Sequence, residues 1–107
     1  MASECIKTLA LRNNLIGEIK GLDKMPNLEE LELYDNRIVQ IKNLDCLPNL
    51  RILDLSYNNI KKIENLDKLP KLKKLFLLSN KIKKVPLFAI SDLKFELPRI
   101  RNARDGF

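Results

Sequence analysis

The chain has 107 residues, 45% hydrophobic, 6% aromatic and 32% charged, with no tryptophan and a formal net charge of +6 at pH 7. That length suits one domain, and its core must be built largely from leucine and isoleucine. No run approaches the ~20 apolar residues of a membrane-spanning helix, the Met1–Glu4 start lacks the basic and apolar blocks of a secretory signal, and histidine is absent, which removes the commonest general base and metal ligand.

In chain order, four units open at Ile6, Leu28, Leu50 and Leu72, and each then runs apolar-x-x-Leu-x-Leu-x-x-Asn-x-Ile-x-x-apolar. The asparagines are Asn14, Asn36, Asn58 and Asn80; Pro26, Pro48 and Pro70 keep the same 22-residue interval. Three residue classes locked to one period mark a repeat architecture, and this frame is that of a leucine-rich repeat. The expected fold is therefore α/β: a right-handed leucine-rich-repeat solenoid of about four 22-residue repeats, with a parallel concave β-ribbon and short helical or 3-10 convex turns. It forms one domain over 1–107, with repeats 6–27, 28–49, 50–71 and 72–90 and an irregular tail at 91–107.

The third unit shows how one coil should fold. Leu53-Asp54-Leu55 alternates with strand periodicity. Leu50, Leu53 and Leu55 point inward, and Ile52, Asp54, Ser56 and Tyr57 point outward. Asn58 stands at the bend, where an amide offering both donor and acceptor can satisfy turn backbone groups. Ile60 and Ile63 continue the core. Asn65 fits the N-cap of a short convex helical turn, with Asp67 in its first turn. Asn43 and Asp45 repeat that arrangement; Gly21 and Asp23 give a weaker one, because glycine has no capping oxygen. Leu66 and Leu69 pack inward, and Pro70 returns the chain to an extended path. One coil cannot bury its own apolar face, so neighbours must stack.

Both ends should be weak. The first unit follows only five residues, with no capping helix, so Ile6, Leu9, Leu11, Ile16 and Ile19 are expected to be exposed. This predicts a fragment or self-association through uncapped ends. The fourth unit loses its frame after Val85. Ser91 is expected to cap a short helix that Pro98 ends, with Leu87, Phe88, Ile90, Leu93 and Leu97 shielding the last repeat incompletely and 99–107 frayed.

Catalytic chemistry is not expected. Cys5 and Cys46 occupy different places in their repeats, which is no disulfide framework and points to a reducing compartment, cytoplasmic or nuclear. Cys46 reads as a packing residue on the convex side. With no glycine-rich phosphate loop, zinc spacing or calcium loop, no cofactor or metal is expected. Lys61-Lys62, Lys83-Lys84, Lys71, Lys73 and Lys74 read as a solvated face rather than a nucleic-acid footprint.

Parallel strands set equivalent positions side by side, about 4.8 Å apart. The outward rows are then Thr8, Glu30, Ile52, Lys74; Ala10, Glu32, Asp54, Phe76; Arg12, Tyr34, Ser56, Leu78; and Asn13, Asp35, Tyr57, Ser79. They gather Glu30, Glu32, Asp35 and Asp54 beside Tyr34, Tyr57, Phe76 and Leu78. Acid around aromatic anchors suits a basic, partly apolar protein partner and repels phosphates.

The runs Leu31-Glu32-Leu33-Tyr34-Asp35-Asn36, Ile63-Glu64-Asn65-Leu66 and Leu72-Lys73-Lys74-Leu75-Phe76-Leu77 resemble the early repeats of the SDS-type leucine-rich-repeat regulatory subunit of protein phosphatase 1. The resemblance covers roughly residues 6–85. It implies a non-catalytic regulator whose concave face holds the phosphatase catalytic subunit, with Asp54 and Phe76, and then Glu32, at contact positions. That family has many more repeats, so the chain resembles a shortened or fragment form. Spliceosomal, axonemal dynein and tubulin-cofactor proteins share the repeat class, which leaves a cytoskeletal or axonemal adaptor, or a ribonucleoprotein component, as alternatives.

Overall fold

The computed structural model describes residues 2–83. The expected helix at Ser91, the shielding residues Leu87, Phe88, Ile90, Leu93 and Leu97, Val85 and the 91–107 tail lie outside the described residues.

The first leucine of each Leu-x-Leu is the centre of one three-residue strand: β1 Thr8–Ala10, β2 Glu30–Glu32, β3 Ile52–Asp54 and β4 Lys74–Phe76. They make a parallel sheet in the order β1-β2-β3-β4. Register follows the repeat without slippage: Leu9, Leu31, Leu53 and Leu75 stand in one line. Backbone bonds carry the ribbon further, from Leu33 N to Asp54 O at 2.8 Å and from Tyr57 N to Leu78 O at 2.7 Å. Register is fixed because the period-2 alternation leaves one face apolar, and a one-residue slip would turn that face to water. Leu31, Leu53, Leu55, Leu75 and Leu77 are buried with Leu28, Leu50 and Leu72 in a core continuous along the stack.

Beyond each strand the chain turns through a left-handed residue: Asn13, Asp35, Tyr57 and Ser79 all have positive φ between 56° and 61°. Asparagine and aspartate tolerate that conformation, whereas Tyr57 adopts it against the preference of a bulky side chain. The next residue is the repeated asparagine. The Asn58 amide donates to Leu33 O of the preceding coil at 2.9 Å and to Leu55 O of its own at 3.0 Å, while its Oδ1 accepts from Ile38 N at 2.9 Å. Asn36 and Asn80 repeat the pattern toward Leu11 O and Ile16 N, and toward Leu55 O and Ile60 N. The expected ladder thus has three full rungs. Asn14 departs from it: it is exposed and donates only to Arg12 O, at 3.0 Å, because no described coil precedes it.

The convex side differs from expectation. Asn43 and Asn65 are not N-caps. They take positive φ, 63° and 60°, and their amides donate across to Ile19 O and Ile41 O of the preceding coil, each at 2.6 Å. No helix follows either residue, only a turn, so there is nothing for them to cap, and their amides serve the preceding coil instead. Single turns follow, closed by bonds such as Leu47 N to Leu44 O at 3.0 Å and Leu69 N to Leu66 O at 3.3 Å. The 3-10 helix found on this side, Leu22–Lys24, follows Gly21, which reaches φ 79° without a side chain to strain.

Two further expectations are corrected at the N-terminal side. A 3-10 turn, Ala2–Cys5, precedes the first strand, tied by Asn27 Nδ2 donating to Glu4 O at 2.8 Å. Ile19 is buried, at 2% exposure, because it joins the core shared with the second coil; Ile6, Leu9, Leu11 and Ile16 are half-buried.

Candidate functional site

The strand face carries the eight candidate residues, and the strand register brings them together as the sequence arranges them. Glu30 lies beside Ile52 and Ile52 beside Lys74; Glu32 lies beside Asp54 and Asp54 beside Phe76. Across the next two rows, the Tyr34 and Tyr57 rings pack with centroids 5.1 Å apart and planes tilted by 57°. That geometry is favourable for ring quadrupoles and fixes both rings with few rotatable bonds. Tyr57 and Leu78 are exposed, and Glu30, Glu32, Tyr34, Ile52, Asp54 and Phe76 are half-buried.

Several acids have local partners. Arg12 Nε lies 3.7 Å from Glu32, and Arg51 lies 3.9 Å from Glu29. Asn13 Nδ2 donates to Asp35 at 2.6 Å, and Asp54 Oδ1 accepts from Ser56 N at 3.0 Å, closing a small Asx turn. The Asx turn joins residues two apart, and the other three contacts join residues 20 or 22 apart that carry complementary groups. Ser56 is corrected from outward to buried: its hydroxyl turns back to accept from Leu78 N at 3.2 Å, which a small side chain in that row can do.

Outside this face, Lys42 reaches Glu18 at 3.0 Å, and its hydrogen bond and charge hold the Glu18 carboxyl below its ordinary range. A shallow convex groove is lined by Lys20, Gly21, Leu22, Asp23, Asn43, Asp45 and Cys46. Burial pushes the Cys46 thiol up, away from nucleophilic character, and Cys46 packs against the core. Both cysteines are free thiols. Leu15 and Val39, apolar and exposed on the flank, were not singled out by their positions in the repeat. Among the described residues no cluster of histidine, cysteine and acidic groups could hold a metal ion, and no helix is long and apolar enough to cross a membrane.

A family model for leucine-rich repeats, spanning two copies, matches residues 6–46 and again 48–95. The chain belongs to the leucine-rich-repeat family. Its parallel ribbon is similar to that of an internalin, InlF, of Listeria monocytogenes, with TM-score 0.75, 30% identity, and coverage of 89% of this chain and 28% of that one. A chain of the Drosophila melanogaster SNF/U2A′ complex gives TM-score 0.69 and 26% identity over 84% of this chain and 60% of that one. Internalin C2 of Listeria monocytogenes gives TM-score 0.59 and 28% identity over 87% of this chain and 51% of that one. This leucine-rich-repeat chain thus spans 28% to 60% of the length of these structures. No curated protein sequence matches it significantly. The leucine-rich-repeat fold is in general a protein-interaction scaffold.

Proposed function

We propose that the chain is a non-catalytic protein-interaction module, cytoplasmic or nuclear, and that its strand face binds the catalytic subunit of protein phosphatase 1. The observation that carries the docking reading is the register that sets Asp54 directly beside Phe76, with Glu32 on the other flank of Asp54. Acidic groups on adjacent strands, the last of them beside an apolar ring, suit a partner surface with a basic residue next to an apolar one. The resemblance of residues 6–85 to the phosphatase regulator supplies the choice of partner. Glu30, Glu32, Tyr34, Asp35, Asp54, Tyr57, Phe76 and Leu78 are the contact residues in this reading.

A binding assay with purified phosphatase catalytic subunit tests it. Asp54→Lys and Phe76→Ala should each weaken binding by at least tenfold; unchanged affinity in both removes the reading. A ribonucleoprotein role is the second reading, favoured by the likeness to a chain of the SNF/U2A′ complex. It predicts RNA affinity that falls steeply with salt.

A further inference from the structure

The strand face reverses its charge along the stack. The row of first strand residues runs Thr8, Glu30, Ile52, Lys74, so acid, apolar and basic groups follow one another across β2, β3 and β4. The repeats behind them follow suit: residues 28–49 hold five acidic against two basic residues, whereas 72–83 hold four lysines and no acid. Lys73 and Lys74 are exposed, and among the described residues no ion pair engages them or Glu30. The pair that does engage Glu32 is long and half-solvated, so it offsets little of the β2 charge.

Building on the docking reading above, we propose that this face takes one extended, bipolar segment of a partner protein. Its basic residues lie over β2, its acidic residues over β4, and apolar residues between them rest on Ile52 and Phe76. β2 and β4 are two strand spacings apart, about 10 Å, a distance that about three residue steps of extended peptide cover. The two charge blocks of the segment are therefore separated by about two apolar residues. A uniformly basic segment meets Lys73 and Lys74 with like charge, and a uniformly acidic one meets Glu30, Glu32 and Asp54. Each mismatch opposes binding and selects against that partner.

The test uses the full chain and the synthetic peptide Lys-Lys-Leu-Phe-Glu-Glu with a nitroxide at its lysine end. Amide resonances of residues 30–35 should broaden more strongly than those of 73–79. The peptide should bind at least tenfold more tightly than Lys-Lys-Leu-Phe-Lys-Lys or Glu-Glu-Leu-Phe-Glu-Glu. The quadruple variant Glu30→Lys, Glu32→Lys, Lys73→Glu, Lys74→Glu should reverse the broadening, its fold checked by the amide spectrum. If the all-lysine peptide binds as tightly, or broadening falls equally on both ends, the bipolar segment is overturned while the basic-partner docking reading stands. If no peptide binds, or binding is indifferent to Phe76→Ala, the bipolar segment is overturned, and the phosphatase binding assay alone decides the docking reading. A concentration-dependent dimer that the quadruple variant leaves intact but Glu30→Lys with Glu32→Lys dissociates would make a second copy of the chain the occupant, and overturns the proposal.

Discussion

Asn14 and Asn58 occupy the same place in their repeats and lead different lives. Asn58 is buried, donates to carbonyls of two coils and accepts an amide from the preceding one. Asn14 is exposed and reaches only Arg12 O, two residues away. Local sequence is not the cause, since both follow a left-handed residue and precede the same x-Ile-x-x-Ile continuation of the turn. The difference is the neighbour. In a solenoid a residue's contribution depends on whether a coil lies behind it, so stability is a property of interfaces between repeats.

The sharpest way to break this comparison is in the leucine lines. Leu53 is fully buried between flanking coils, whereas its equivalent Leu9 is half-buried. Leu53→Ala should cost about 2–5 kcal/mol by urea unfolding, and Leu9→Ala less than half of that. Next comes the ladder itself. Asn58→Ala orphans Ile38 N, leaves Leu33 O with only the Asn36 amide, and should cost about 2–4 kcal/mol, while Asn14→Ala should stay within about 0.5 kcal/mol by the same measurement. Equal losses at 14 and 58 would show that the ladder acts within a coil rather than between coils.

Ser56→Ala is a finer probe, since it strips Leu78 N of its acceptor; about 1 kcal/mol of stability should go, seen as a lower denaturation midpoint with unchanged slope. The smallest effect belongs to Glu18. Its lowered carboxyl pKa means that the Lys42 contact stabilises the fold above the unfolded-state pKa of about 4.3, and that this contribution fades as pH falls through the folded value. A carboxyl titration followed by NMR should place Glu18 below the ordinary glutamate range in the parent and return it upward in Lys42→Met.

Much of this architecture could be read from residues alone. The repeat gave strand register, the inward leucines and the interior asparagine rungs, because all three depend on side-chain period and burial. The convex side could not be read in the same way. Asn43 and Asn65 have the composition of helix caps, yet the same side chain also tolerates a left-handed turn, and only the carbonyl one coil back decides between the two uses. Ser56 misled for a related reason: alternation assigns a direction to the Cβ, not to a hydroxyl that can fold back. The face residues gathered where the period set them, but their local partners depended on pairs such as Arg12 with Glu32, which adjoin only after stacking.

The amide rungs all reach backward. Asn58 closes groups on the coil before it, and Asn80 does so for Leu55 and Ile60 of the coil that contains Asn58. A chain leaving the ribosome N-terminus first therefore finishes none of its first three coils with that coil's own residues. Each turn stays open until some 20 to 25 further residues have cleared the exit tunnel, and assembly advances with a lag of about one repeat behind synthesis.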